Sequence, residues 1–204
     1  MNIPLNQMHK KILACKHWIF DMDGTLTIGV HDFDMMRSEL GLAPGQGILE
    51  TVQAMTPEQA APLWDKINAM EYHFASLAKP MPGAFELLEH LQNKGVNLGI
   101  LTRNVMPAAL QTLKACNLAG FFIPSNILDR DSCEPKPHPA GITLLLDQWG
   151  AKSSDSLMVG DYLFDLEAGK AAKVATVHIN TTAHHPWPHV TDWGIDHLRQ
   201  LINN

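Results

Sequence analysis

The feature that most constrains the fold is an alternation, from residue 80 onward, between short apolar runs and longer stretches with apolar residues three and four positions apart. Short apolar runs are typical of buried strands, and the longer spacing is typical of amphipathic helices. Strands that alternate with helices predict a parallel sheet covered on both faces, so we expect an α/β, Rossmann-like, doubly wound fold. The predicted strands are 96–102, 121–128, 156–161 and 174–179, and the predicted helices are 83–95, 107–118, 139–150, 162–172 and 191–202.

A further strand is predicted near the N-terminus, where the apolar run "HWIF" stands directly before two acidic residues. After it the alternation stops, and only helical periodicity is found until the prolines and glycine of "KPMPGA" mark a turn back. We therefore expect a small helical cap of residues 29–79, inserted after the first strand into a core of residues 1–28 and 80–204.

Composition excludes several classes of protein. The 204 residues are 46% hydrophobic, which is enough for one substantial core with a small subdomain. The net charge is −6, whereas a nucleic-acid-binding protein typically carries an excess of basic residues. The three cysteines form no CxxC motif, so we expect no disulfide framework and a reducing, cytoplasmic location. No apolar stretch approaches the ~20 residues of a transmembrane helix, and the first residues lack the apolar run of a signal peptide.

Polar residues follow the predicted strands at four places. In open parallel sheets, ligands bind beyond the carboxyl ends of the strands, so these residues are expected to meet at one edge. Two carboxylates at the end of a buried strand are tolerated where a cation compensates them. The residues are Asp21 and Asp23 with Gly24 and Thr25 in "DMDGT", Thr102 followed by Arg103 and Asn104, Lys136 in "EPKPHP", and Asp161 and Asp165 in "GDYLFD".

The four motifs, in this order over essentially the whole chain, resemble those of the haloacid dehalogenase superfamily of phosphohydrolases. That family carries DxDGT after its first strand, a Ser or Thr after its second, a Lys in a later loop, and GDxxxD. The helical insert resembles the C1 cap of phosphoglycolate phosphatases and β-phosphoglucomutases. The resemblance implies a Mg²⁺-dependent phosphatase that hydrolyses a small phosphomonoester through an aspartyl-phosphate.

The resemblance also implies roles for these residues. Asp21 would attack phosphorus, and Asp23 would protonate the leaving oxygen and then activate water. Residues two apart in an extended strand share a face, so both can reach one phosphorus atom. The metal would lie on Asp21, the Asp23 carbonyl and Asp161, with Asp165 holding a metal-bound water or orienting a lysine. The phosphoryl group would be bound by Gly24, Thr25, Thr102, Arg103, Asn104 and Lys136.

Other readings differ in their chemistry. A phosphomutase would use the same residues, whereas a dehalogenase would need neither Asp23 nor Asp161. A receiver domain would lack the helical insert, and a non-catalytic binding protein would not need both Asp21 and Asp23. We therefore favour the phosphatase, with a phosphomutase or a ligand-binding protein of the same fold as alternatives.

The cap bears on the substrate. It holds seven acidic and three basic residues, a net charge of −4, which favours small monophosphates over polyphosphorylated compounds. Candidate cap contacts are His31, Tyr72 and His73. We expect a small phosphorylated metabolite as partner, with no nucleic acid or membrane, and a monomer or weak dimer.

One more cluster of potential ligands lies near the C-terminus, in "HHPWPH", where His184, His185 and His189 are close in sequence. A zinc site needs converging ligands. The prolines instead favour an irregular, exposed loop around a packed Trp187.

Overall fold

The computed structural model describes residues 5–202, and its centre is a six-stranded sheet in which every pairing is parallel. This confirms the predicted fold class. The spatial order is β3-β2-β1-β4-β5-β6, so the chain builds outward from β1 in both directions. The strands are β1 (His17–Phe20), β2 (Asn97–Leu101), β3 (Ile127–Leu128), β4 (Ser156–Gly160), β5 (Ala175–Ile179) and β6 (Trp193–Ile195).

The predicted helices are confirmed with one exception, and a further helix near the N-terminus, Leu5–Leu13, was not predicted. The predicted helix over 191–202 is wrong, because this segment forms β6 and a short 3-10 helix, Leu198–Leu201. Trp193 and Ile195 are buried on either side of Gly194, which is the period of a strand. The α-helices are α1 (Leu5–Leu13), α2 (Phe33–Leu40), α3 (Ile48–Gln53), α4 (Pro57–Leu77), α5 (Ala84–Asn93), α6 (Met106–Ala115), α7 (Ala140–Trp149) and α8 (Leu163–Ala171).

Helices cover both faces of the sheet because successive strand residues point to opposite sides. In β1, Trp18 and Phe20 join a core cluster that includes residues of α1, α5 and α6. Ile19, between them, joins the second cluster with residues of α7 and α8. Both faces of β1 are buried, so Asp21, which directly follows this strand, lies at the edge of the core.

Helices α2, α3 and α4 form the insert, which has an apolar cluster of its own that includes Val52, Ile67 and Phe74. The chain leaves and re-enters the core through two paired segments. The Ile28 N–H donates to the Lys79 carbonyl, and the Met81 N–H donates to the Leu26 carbonyl, each at 2.9 Å. Within residues 5–202, no helix combines the length and the apolar character needed to cross a bilayer.

Candidate active site

The four sequence motifs meet at the carboxyl edge of the sheet. Asp21 follows β1, Thr102 follows β2 and Asp161 follows β4, and β1 lies between the other two strands. The strand order changes direction at β1 and β4, which opens a crevice there. A cleft of about 1080 Å³ lies between this edge and the helical insert, and its walls include Asp21, Asp23, Thr102, Lys136, Asp161 and Asp165.

Lys136 supplies a buried positive charge to this cleft. Its Nζ donates to Asp21 Oδ1 and to Asp165 Oδ1, both at 2.6 Å, and its side chain is only 3% exposed. Burial alone would lower the pKa of Lys136, but Asp165 and Asp21 outweigh burial and raise it. The ammonium therefore stays charged, and its hydrogen bond orients the Asp21 carboxylate.

Three acids surround this lysine. Asp21, Asp161 and Asp165 each place one carboxylate oxygen within 4.8 Å of the others, and no other such group of three potential ligands occurs in the described part of the chain. Burial, with Asp21 next, raises the pKa of Asp161 to about 8, and burial raises that of Asp165 to about 6 despite its contact with Lys136. One ammonium cannot balance three carboxylates. This all-oxygen set fits Mg²⁺, which would supply the missing positive charge.

Asp23 lies beside this group in a different environment. Its Oδ2 accepts a hydrogen bond from Asn104 Nδ2 at 2.7 Å, and its Oδ1 accepts a longer one from Thr27 Oγ1 at 3.4 Å. Burial raises the pKa of Asp23, with the Asp21 charge adding to the effect and the nearby His31 opposing it. A carboxyl group that holds its proton more tightly than usual is suited to protonate a leaving oxygen.

Gly24 and Thr25 contact Asp161 and are not part of the cleft wall. Gly24 has φ +90°, and a Cβ there would lie 2.2 Å from Asp161 Oδ2, so only glycine fits. Thr25 Oγ1 donates to Asp161 Oδ1 at 3.4 Å. The DGT segment thus shapes the space around a carboxylate 136 residues away.

The segment after β2 lines the cleft on the other side of β1. Thr102 is buried, and its Oγ1 accepts from the Asn104 N–H at 3.2 Å. Arg103 forms an ion pair with Glu50 of α3, and its guanidinium lies 5.2 Å from the centre of the Phe164 ring. Arg103 therefore joins the core to the insert, and both members of this ion pair line the cleft.

The three cap candidates lie in different places. His31 lines the cleft, with Nδ1 4.0 Å from Asp23 Oδ1, and its buried Nε2 has no hydrogen-bond partner among residues 5–202. Tyr72 and His73 are exposed and lie outside the cleft wall. Of these three, only His31 is placed to meet a substrate.

Two buried charged residues near the site were not predicted from the sequence. Glu71 of α4 pairs with Arg130, which follows β3, and lines the cleft. Glu71 is four residues after Ile67 and three before Phe74, so its position on the apolar face of α4 was readable as helical spacing. Nothing in the sequence around Arg130 marks it in the same way.

The histidines near the C-terminus differ in their surroundings. His184 and His189 are exposed, as expected for a loop, and Trp187 is partly buried. His185 instead points inward and hydrogen-bonds to His178 of β5.

Comparison with known proteins gives relatives over nearly the whole chain. Residues 32–179, which include the last three motifs, match the family described as haloacid dehalogenase-like hydrolase. The chain is 30% identical to phosphoglycolate phosphatase of Pseudomonas syringae pv. syringae, over 90% of this chain and 77% of that protein. It is 28% identical to N-acetylmuramic acid 6-phosphate phosphatase of Pseudomonas aeruginosa, over 95% of this chain and 96% of that protein. The crystal structure of a hydrolase from Pseudomonas syringae has the same fold, with a TM-score of 0.78 at 23% identity over 93% of this chain and 97% of that one.

Proposed function

Because this chain belongs to the haloacid dehalogenase-like hydrolase family, we propose that it is a Mg²⁺-dependent phosphatase that hydrolyses a small phosphomonoester through an aspartyl-phosphate on Asp21. The observation that carries the proposal is the arrangement around Asp21. Its carboxylate is held by buried Lys136, while Asp23, with a raised pKa, stands two residues away in the same cleft. A nucleophile, a positive charge and a proton donor are what cleavage of a phosphate ester requires.

In the first step, an Asp21 oxygen attacks phosphorus and the bond from phosphorus to the ester oxygen breaks. The protonated Asp23 gives its proton to that leaving oxygen, so the product departs as a neutral alcohol. Lys136 and the Thr102 hydroxyl, with nearby backbone N–H groups, would bind the phosphoryl oxygens, which carry the developing charge.

In the second step, Asp23, now ionised, takes a proton from water as the water oxygen attacks phosphorus. The bond between phosphorus and Asp21 breaks, phosphate is released, and Asp23 regains the proton it needs for the next cycle. Bound by Asp21, the Asp23 carbonyl and Asp161, Mg²⁺ would neutralise charge on the phosphoryl oxygens. Asp165 orients Lys136 through their 2.6 Å contact.

The cleft favours a small monophosphate. Its two arginines outside the catalytic group are already paired, Arg37 with Asp34 and Arg103 with Glu50, and the insert as a whole is acidic. A polyphosphorylated compound would find little free positive charge here. The relative named phosphoglycolate phosphatase supports a small, singly phosphorylated metabolite as substrate.

We also propose that the enzyme acts in the cytoplasm as a monomer or weak dimer, with residues 29–79 as the cap domain and the remainder as the catalytic core. The absence of a CxxC motif and the three scattered cysteines support a reducing compartment.

The test is phosphate release from a panel of small phosphomonoesters, with Mg²⁺ or with a chelator, by the wild type and by Asp21→Asn. We expect Mg²⁺-dependent release that the substitution lowers by about 1000-fold or more, because it removes the nucleophile. Asp147→Asn, an exposed carboxylate on α7, is the matched control and should keep full activity.

Undiminished release by Asp21→Asn would overturn the mechanism. Transfer of the phosphoryl group to a second hydroxyl of a sugar phosphate, with no free phosphate, would instead indicate a phosphomutase.

A further inference from the structure

A pair of histidines lies next to the acidic cluster but is not part of the cleft wall. His178, the fourth residue of β5, is fully buried. Its Nε2 lies 3.1 Å from the Asp161 carbonyl oxygen, and its Nδ1 lies 2.8 Å from Nδ1 of His185. Neither contact takes part in the catalytic steps above.

The contacts determine which nitrogen carries a proton. A carbonyl oxygen can only accept, so Nε2 of His178 must donate to Asp161. Complete burial favours the neutral ring, which leaves Nδ1 of His178 as an acceptor. His185 must then donate from its own Nδ1. His185 therefore selects the His178 tautomer that can hold the Asp161 carbonyl.

The peptide group held by His178 also contacts the second acid. The carbonyl of Asp161 and the N–H of Tyr162 belong to one planar peptide unit and point in opposite directions. That N–H donates to Asp165 Oδ2 at 3.0 Å. Rotation of the peptide away from His178 would therefore also remove a hydrogen bond from Asp165. One buried imidazole constrains both acids of the last motif.

The loop that carries His185 is packed in a way that maintains this contact. His178 pairs in register with Gly194 of β6, and a Cβ on Gly194 would lie 2.7 Å from the His185 ring. The Trp187 ring centre lies 5.2 Å from that of His178 and 5.5 Å from that of Tyr162. Glycine at 194 makes room for the His185 imidazole, and Trp187 of the same loop packs against His178 and Tyr162.

We propose that His178, supported by His185, is a positioning residue for the divalent-cation site, acting through the peptide that orients Asp161 and Asp165. This rests on the proposed function, in which Asp161 binds Mg²⁺ and Asp165 orients Lys136. Residues that orient metal ligands without touching the metal typically change its affinity by about 10-fold to 100-fold when replaced.

The test is calorimetric titration of Mg²⁺ into the full-length protein without substrate. His178→Leu and His185→Phe should each weaken cation binding by about 10-fold or more. His178→Gln should keep an affinity close to the wild-type value, because its Nε2 can still donate to the carbonyl. His189→Ala, an exposed histidine of the same loop, is the matched control and should bind as the wild type does. In turnover assays, the first two variants should need more Mg²⁺ for half-maximal rate while keeping kcat at saturating Mg²⁺.

Circular dichroism will show whether each variant is folded, and the half-buried His185 provides a second route if His178→Leu does not fold. Wild-type affinity in folded His178→Leu or His185→Phe would overturn the positioning role and leave the phosphatase proposal intact. Absence of Mg²⁺ binding by the wild type would instead refute the cation site, and this inference with it.

Discussion

Removing Glu71 alone should strongly destabilise the protein, because it would leave the Arg130 cation buried without its carboxylate. Both side chains are 5% exposed, and Arg130 Nη1 lies 2.5 Å from Glu71 Oε1. Arg130 also contacts Asn68 and stacks on Trp64 of α4, while Glu71 Oε2 accepts from the Val105 N–H at 3.1 Å. The pair joins helix α4 of the insert to two loops of the core.

The magnitude follows from what each substitution leaves behind. Breaking a buried ion pair by removing one partner costs ~3–5 kcal/mol, so we expect that loss in the free energy of unfolding for Glu71→Leu. Arg130→Met should cost less. Burial already raises the pKa of Glu71, so the orphaned carboxyl can take up a proton, whereas an arginine cannot release one. The double variant removes both charges and should recover at least ~2 kcal/mol of the summed losses.

The assay is equilibrium unfolding in urea of the wild type, the two single variants and the double variant. Unfolding is followed by tryptophan fluorescence and circular dichroism at neutral pH. Glu86→Leu is the control, since its partner Arg199 and Glu86 itself are about half exposed, and it should change stability little. If the double variant loses the full sum of the two single losses, the residues do not stabilise each other and the reasoning is refuted.

Two further predictions concern the acids. Asn104→Ala should lower kcat by about 10-fold to 100-fold with little change in KM, because Asp23 loses the 2.7 Å hydrogen bond that orients it. General acid–base catalysis contributes ~10²–10⁴-fold to a rate, so misplacing the acid should cost part of that factor. An unchanged kcat in steady-state assays would contradict this role. Without divalent cations, the free energy of unfolding should fall as pH rises from about 4 to about 8. In the folded protein the pKa values of Asp161 (about 8) and Asp165 (about 6) exceed the ordinary ~3.9 of an aspartate. In this pH range the folded state therefore holds protons that the unfolded chain has already lost. Mg²⁺ at pH 8 should restore stability, and urea unfolding at pH 5 and pH 8 that shows no such slope would refute the assignment.

Much of the fold was predictable because its signals are local. Apolar runs and helical spacing placed β1, β2, β4 and β5 and the helices between them, and the motif acids could be assigned to strand ends before any contact was known. The prediction failed at 191–202, where helix and strand spacing compete over a short segment. The segment forms strand β6 because it pairs with β5, and the local sequence pattern does not show that pairing partner.

The sequence by itself therefore determined which side chains stand at the carboxyl ends of which strands, because periodicity and turn residues are encoded within each segment. Only the tertiary structure decided which of them meet. Asn104 reaches Asp23 across 81 positions of the chain, and Arg130 reaches Glu71 across 59. Such partners depend on strand order and on the path of the loops, which arise from the packing of the whole sheet. The same holds for His178, whose contact with Asp161 exists only because β5 was laid beside β4.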